Sequence, residues 1–118
     1  MSGFSGSPIL KGTPAVMNPV TNASVTTQAH GLPQTPNFYS AYLTCLTAEQ
    51  GWSVGDRVAF GGANDSPNIT GIRFGFDATN TTITPYSAAA IRMVNKSTRA
   101  TADITLGNWS LTVIPMIV

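Results

Sequence analysis

The side chains able to do catalytic chemistry are few in this chain of 118 residues: one histidine, one cysteine and five carboxylates. Side-chain catalysis needs a nucleophile with a base, a carboxylate pair or a set of metal ligands. His30 and Cys45 form the single nucleophile–base pair available from those two residue types. Cys45 lies in the middle of an apolar strand pattern, where cysteine usually serves as a small hydrophobic residue. We therefore expect a structural role for Cys45.

His30 precedes Gly31 at the start of a proline-rich loop, and two interpretations follow. In the favoured one, the imidazole is a turn residue that bonds to nearby backbone. In the other, three copies of His30 on a symmetry axis hold a metal ion. The carboxylates are dispersed, and Asp65 and Asp77 stand in turns that aspartate favours for backbone reasons. We expect no cofactor and no enzymatic activity.

Aromatic and polar loop residues form a second set of interest, because they can bind sugars. The candidates for contact with a glycan are Trp52, Tyr86, Asn64 and Asp65. For Trp52, which lies in a loop, the favoured alternative is a hydrophobic plug beneath that loop.

The composition is unusual for a soluble domain, in which about a quarter of the residues carry charge. Here 9% are charged and 42% are hydrophobic, the net charge is +1, and the mean hydropathy is +0.11. A monomer with so few charges would risk self-association. We therefore expect much of the surface to lie within an assembly.

Several partners and compartments are disfavoured by the same composition. The six cations are far apart, so no basic stripe exists to follow a nucleic acid backbone. No apolar run approaches the ~20 residues that span a bilayer, so we expect no membrane insertion. The first residues lack the features of a signal peptide, and the lone Cys45 excludes an intramolecular disulfide. We expect synthesis in the cytoplasm.

From residue 20 onward the pattern is that of β-strands. Alternation is cleanest at Ile72, Phe74 and Phe76, and it recurs at Trp109, Leu111 and Val113. The other predicted strands are Val20 to Gln28, Phe38 to Thr47, Arg57 to Phe60, Thr81 to Pro85, and the segment around Ile91 and Met93.

Turns and breakers complete the predicted fold. Asp77 to Asn80 predicts a hairpin turn, and Pro115 predicts either an edge strand or the end of the last strand. No segment has a helical period. The predicted fold is all-β: an antiparallel β-sandwich or jelly roll with an extended N-terminal arm.

The first 19 residues are predicted to form the docking arm, and residues 20–118 the β-sandwich domain. Three glycines and three prolines interrupt any regular period in the arm. Its apolar side chains are the candidate assembly contacts, namely Phe4, Ile9, Leu10, Val16 and Met17.

The segment from Ala29 to Val113, about seven tenths of the chain, resembles a small β-domain in tail fibres and minor virion proteins of tailed bacteriophages. The pieces that carry the resemblance occur in the same order along the chain. They are Ala29-His-Gly-Leu with Pro36, Leu43-Thr-Cys-Leu-Thr-Ala-Glu49, Gly51-Trp-Ser-Val-Gly-Asp-Arg-Val58, Phe76-Asp-Ala-Thr-Asn80, Asn95-Lys-Ser-Thr, Ile104-Thr and Asn108-Trp-Ser-Leu-Thr-Val113.

The resemblance implies a non-catalytic protein on the virion exterior, made in the host bacterial cytoplasm, trimeric, and in contact with other virion proteins. It implies no binding residues. Two functions are open. The chain is an outward-facing fibre or tail module that contributes to attachment to a host cell-surface glycan, or it is a capsid decoration (cement) protein. Family resemblance favours attachment, whereas the arm and the low charge favour decoration.

Overall fold

The computed structural model describes residues 9–60 and 71–118, and these form ten strands and one short 3-10 helix. The strands are β1 (Leu10–Lys11), β2 (Ala15–Met17), β3 (Thr26–Ala29), β4 (Phe38–Cys45), β5 (Arg57–Ala59), β6 (Ile72–Phe76), β7 (Asn80–Pro85), β8 (Arg92–Val94), β9 (Thr101–Asp103) and β10 (Trp109–Ile117). The 3-10 helix is Leu106–Asn108.

All strand pairs are antiparallel, and they form two sheets and a separate hairpin. In the five-stranded sheet β10 is central, with β4 and then β5 on one side and β1 and β2 on the other. The three-stranded sheet has the order β3-β7-β6, and β8 pairs with β9 in the hairpin. The all-β prediction is confirmed, and the architecture is consistent with a β-sandwich.

The core lies between the two sheets, and both sheets contribute buried side chains to it. Trp109, Leu111 and Val113 of β10 are fully buried and pack in one cluster with Ile72 and Ile83 of the opposing sheet. This is the face that the alternation predicts. The hairpin of β6 and β7 turns at residues 77–80 as predicted, with Asp77 N–H donating to Asn80 O at 3.0 Å.

Part of the predicted docking arm lies inside the five-stranded sheet. Ala15–Met17 pairs with β10, and the side chains of Ala15 and Met17 are buried in the core of their own chain. Leu10–Lys11 pairs with the end of the same strand. The division at residue 19 therefore does not follow the strand pairing, because β1 and β2 complete one side of the sheet. Met17 is corrected from an assembly contact to a core residue.

Pro115 lies within the central strand, so the expectation of an edge strand or a strand end is wrong. It pairs with Tyr39 of β4, and its carbonyl accepts a 2.8 Å hydrogen bond from Gly12 N–H. Gly12 lies in the interruption between β1 and β2. In a strand, the N–H and C=O of one residue point toward the same neighbouring strand. Proline has no N–H, and at Pro115 the missing N–H would point toward this interruption and away from β4. The missing donor therefore costs no pairing with β4.

The first predicted strand is shorter than expected, because only Thr26–Ala29 pairs with a neighbour. Val20 is instead buried in the core, and its N–H donates to Trp109 O at 2.8 Å. In the described part of the chain, no helix has the length and apolar character needed to cross a membrane.

Candidate functional site

His30 is buried, and backbone groups engage both of its ring nitrogens. Leu32 N–H donates to Nδ1 at 3.0 Å, and Nε2 lies 2.9 Å from the carbonyl oxygen of Asp77. Nδ1 therefore carries the lone pair and Nε2–H donates, which is the neutral tautomer. The interpretation of His30 as a turn residue agrees with this geometry. A metal at either nitrogen would have to displace one of these bonds.

The Asp77 turn that receives His30 is itself closed by its carboxylate. Asp77 Oδ1 accepts hydrogen bonds from the N–H groups of Thr79 at 2.9 Å and Asn80 at 2.7 Å. These backbone bonds, Thr79 first, lower the pKa of the Asp77 carboxyl below its ordinary value. Asp77 is thus committed to the hairpin turn.

Cys45 is buried at the end of β4, where its thiol contacts two carbonyl groups. Sγ lies 3.2 Å from Thr47 O and 3.9 Å from Trp52 O. Burial raises the pKa of the thiol, which disfavours the thiolate needed for nucleophilic attack. Among the hydrogen bonds of residues 9–60 and 71–118, none joins Cys45 to His30. The structural interpretation of Cys45 fits this environment.

Trp52 fills the space between its own loop and the β8–β9 hairpin. Its ring packs against the core, its Nε1–H donates to Val94 O at 3.4 Å, and Lys96 Nζ lies 5.3 Å from the ring centroid. Lys96 also pairs with the Asp56 carboxylate at 3.6 Å. The indole is therefore partly buried and covered by a cation. This arrangement fits a hydrophobic plug beneath the loop better than an exposed ring on which a sugar could stack.

Gly51 allows the close approach of this loop to the hairpin. Its φ is +80°, and a Cβ there would lie 3.1 Å from Asn95 Oδ1 and 3.3 Å from Lys96 Cβ. A side chain would strain the backbone and press on the turn. The segments around Trp52 and Asn95 therefore pack against each other. Both are among the pieces that carry the resemblance, and the contact between them is structural.

Glu49 is a residue that the sequence analysis missed. Its carboxylate accepts hydrogen bonds from Trp109 Nε1 at 2.6 Å and from Thr105 N–H at 2.9 Å. A charged acceptor makes short, strong bonds with such donors. No local pattern marks this glutamate, because its partners follow it by 56 and 60 positions. Its role is to fix the start of β10.

Tyr86 lies at the end of β7 beside an open depression of about 350 Å³. The depression is lined by Gly71, Arg73, Thr84, Pro85, Tyr86 and Ser87. The Tyr86 side chain is 55% exposed, while its N–H is held by Gly71 O at 3.0 Å. An exposed ring on an anchored backbone, with hydroxyl groups beside it, can present one flat apolar contact and polar partners to a ligand.

The remaining predicted site residues are dispersed. Asn64, Asp65 and Phe4 lie outside the described residues. Ile9, Leu10 and Val16 are exposed. Tyr86 and Trp52 contact different elements, so the structure does not bring them together in one site. Within residues 9–60 and 71–118, no group of three or more His, Cys, Asp or Glu side chains could hold a metal ion.

Comparisons with protein-family models, curated proteins and solved structures gave no match. The resemblance to phage tail domains therefore stays a prediction.

Proposed function

We propose that the chain is a non-enzymatic structural protein of a tailed phage virion. It acts as an outward-facing trimeric fibre or tail module that contributes to attachment to a host-surface glycan. The observation that carries the proposal is the depression beside Tyr86, where a half-exposed aromatic ring adjoins Thr84 and Ser87. A shallow site of this kind gives weak contacts, and several copies on one particle would raise the avidity.

The environments of the titratable groups support a non-catalytic role. Both ring nitrogens of His30 are hydrogen-bonded to backbone groups. The Glu49 carboxylate accepts hydrogen bonds from Thr105 N–H and from the Trp109 indole. The pKa of Cys45 is raised by burial. Each group therefore stabilises a loop or a strand end instead of facing a ligand.

The decoration function is the alternative, and the pairing of residues 10–17 weakens its main argument. A docking arm must leave its own chain to reach a neighbour, whereas β1 and β2 are paired with β10. Attachment therefore has the stronger support.

The location and role are tested with particles that lack this protein. Attachment predicts that adsorption to host cells fails while heads stay intact. Decoration predicts the reverse, namely normal adsorption and heads that lose stability to heat or chelator. The second result, or a wild-type phenotype in both assays, would overturn the proposed function.

The contact at Tyr86 is tested with the purified chain and surface polysaccharide extracted from the host. Tyr86→Ala should abolish binding, and Tyr86→Phe should retain most of it because the ring remains. Val25→Ala, which truncates another exposed apolar side chain, serves as the control and should bind as the wild type does. Equal binding by Tyr86→Ala would show that the depression is not the contact.

A further inference from the structure

His30 is held in place by hydrogen bonds at its backbone N–H, its carbonyl and both ring nitrogens. The backbone N–H donates to Thr79 O at 3.1 Å, and the carbonyl accepts a bond from Thr13 N–H at 3.0 Å. In the ring, Nδ1 accepts from Leu32 N–H at 3.0 Å, and Nε2–H donates to Asp77 O at 2.9 Å. The residue is 1% exposed. It therefore connects its own loop to the turn after β6 and to the interruption between β1 and β2.

The loop of residues 31–36 relies on the imidazole for hydrogen bonding. In the described part of the chain, the bond from Leu32 N–H to the ring is the one hydrogen bond that this loop makes. Pro33 and Pro36 have no N–H to donate. Packing supplies the rest of the attachment, because Pro36 is buried and Leu32 Cδ1 lies 3.0 Å from the position of a Cβ added to Gly12. Loss of the ring acceptor would leave the loop without a hydrogen bond.

Protonation changes the surroundings of the imidazole on one side only. A neutral ring has one donor and one acceptor, whereas an imidazolium has two donors and no acceptor. Nε2–H keeps its bond to Asp77 O, but a proton on Nδ1 would face Leu32 N–H. Two donors would then oppose each other inside the fold, where water does not reach the ring to accept from either one. The closed loop and the protonated ring therefore exclude each other.

The carboxylate of Asp77 is the charged group beside His30 that favours a cation, and its effect is small. Among the influences that lower the pKa of Asp77, the charge of His30 is weaker than the hydrogen bonds from Thr79 and Asn80. The carboxylate is also exposed, so water screens its attraction for the ring. Because the pKa of Asp77 is lowered, this group stays ionised near neutral pH and its attraction there is constant.

The other segments around His30 carry either cations or no ionisable side chain. Lys11, which precedes Gly12, is exposed, and its like charge disfavours an imidazolium. On β6 the charged residue is Arg73, about 13 Å along the strand from Asp77. The residues of β2, β3, β7 and β10 are all uncharged. The donor–donor conflict at Nδ1 is thus not offset by a new acceptor.

We propose that His30 is an acid-sensitive latch: protonation of its imidazole releases residues 31–36 while both sheets stay folded. The proton comes from solvent and binds Nδ1, and opening gives water to both Nδ1–H and Leu32 N–H. The movement would lift Leu32 from Gly12 and uncover the interruption between β1 and β2. This inference goes beyond the proposed function and does not depend on it.

Nuclear magnetic resonance of the ¹⁵N-labelled chain tests the latch directly, because the chain has one histidine and its ring signals are unambiguous. The ring nitrogens and the amide exchange rates are followed from about pH 7.5 to about pH 5. Because opening takes up one proton, the protection factor of Leu32 N–H should fall by about tenfold per pH unit below about pH 6.5, where a free imidazole titrates. The ring should titrate over the same range.

Two amides in the same spectra are internal controls. Asn80 N–H lies in the turn that keeps its bond to the ring, and Val20 N–H donates to Trp109 O in the core. Both should keep their protection factors over this range. Constant protection at Leu32, or equal losses at Leu32, Asn80 and Val20, would overturn the latch.

His30→Asn is the matched variant, because it supplies an acceptor that does not titrate. An asparagine side chain accepts from the N–H two residues later in an Asx turn, which is the relation between Nδ1 and Leu32 N–H. The protection factor of Leu32 in this variant should be the same at about pH 7.5 and at about pH 5. A pH dependence equal to that of the wild type would overturn the latch. If the variant does not fold, the wild-type spectra decide alone.

Discussion

The carboxylate of Glu49 accepts a 2.6 Å hydrogen bond from the indole Nε1–H of Trp109, a residue that is fully buried. The bond joins the loop after β4 to the first residue of the central strand β10. Glu49 also receives Thr105 N–H at 2.9 Å, just before the 3-10 helix. One side chain thus holds the loop, the helix and the strand together.

Removal of this carboxylate should destabilise the fold. We expect Glu49→Ala to lower the free energy of unfolding by about 3 kcal/mol, because the indole N–H and a backbone N–H lose a charged acceptor. Glu49→Gln keeps a carbonyl acceptor and should cost about 1 kcal/mol. Urea unfolding followed by tryptophan fluorescence measures both.

Asp103→Ala is the control for the Glu49 variants. It removes a carboxylate from an exposed pair with Arg92 at 3.5 Å and should change stability by less than about 1 kcal/mol. If Glu49→Ala lowered the free energy of unfolding by as little as Asp103→Ala does, the hydrogen bond to Trp109 would contribute little to stability.

Gly12 should not tolerate a side chain. An added Cβ would lie 2.8 Å from His30 O, 2.9 Å from Pro115 Cγ and 3.0 Å from Leu32 Cδ1. Two of these neighbours belong to a buried backbone or ring that cannot move away cheaply. We expect Gly12→Ala to cost about 2 kcal/mol or more in urea unfolding.

The matched substitution is Gly75→Ala on β6, where an added Cβ meets nothing within 4 Å. It should be neutral or slightly stabilising, because alanine reduces the freedom of the unfolded chain. If the two variants had equal stability, the close packing at Gly12 would be disproved.

Thr81 offers a stabilising substitution. Its side chain is fully buried, and Oγ1 has no hydrogen-bond partner. Thr81→Val replaces an unsatisfied hydroxyl with a methyl group, so we expect a gain of about 1 kcal/mol in the free energy of unfolding. Thr27→Val, at an exposed strand position, should stay within about 0.5 kcal/mol of wild type. A destabilised Thr81→Val protein would mean that the hydroxyl is satisfied after all.

Asp77 should contribute to acid sensitivity. Hydrogen bonds from Thr79 and Asn80 lower its pKa in the folded state, so the unfolded chain takes up a proton first as pH falls. The stabilisation is fully present above about pH 4, the ordinary pKa of aspartate, and it is lost as pH falls through the lowered folded-state pKa. Thermal unfolding from pH 6 to pH 2 should therefore show a flatter profile for Asp77→Asn than for wild type. Parallel profiles would contradict this assignment.

Local sequence was enough to predict the strands that have one buried and one exposed face. At Ile72, Phe74 and Phe76 the alternation is regular, and the Asp77 turn carries its own stabilising side chain. These signals act over a few residues, so they can be read without knowing the neighbours. The plug role of Trp52 and the backbone role of His30 were also favoured for local reasons.

What the sequence by itself determined is therefore the all-β class, the inward face of most strands and the scarcity of catalytic groups. Tertiary structure alone decided which strands became neighbours. It placed Ala15–Met17 beside β10, set Pro115 opposite the interruption at Gly12, and brought Glu49 to Trp109. The reason is physical: alternation specifies the face of a residue, whereas pairing between distant segments depends on register and on packing in three dimensions.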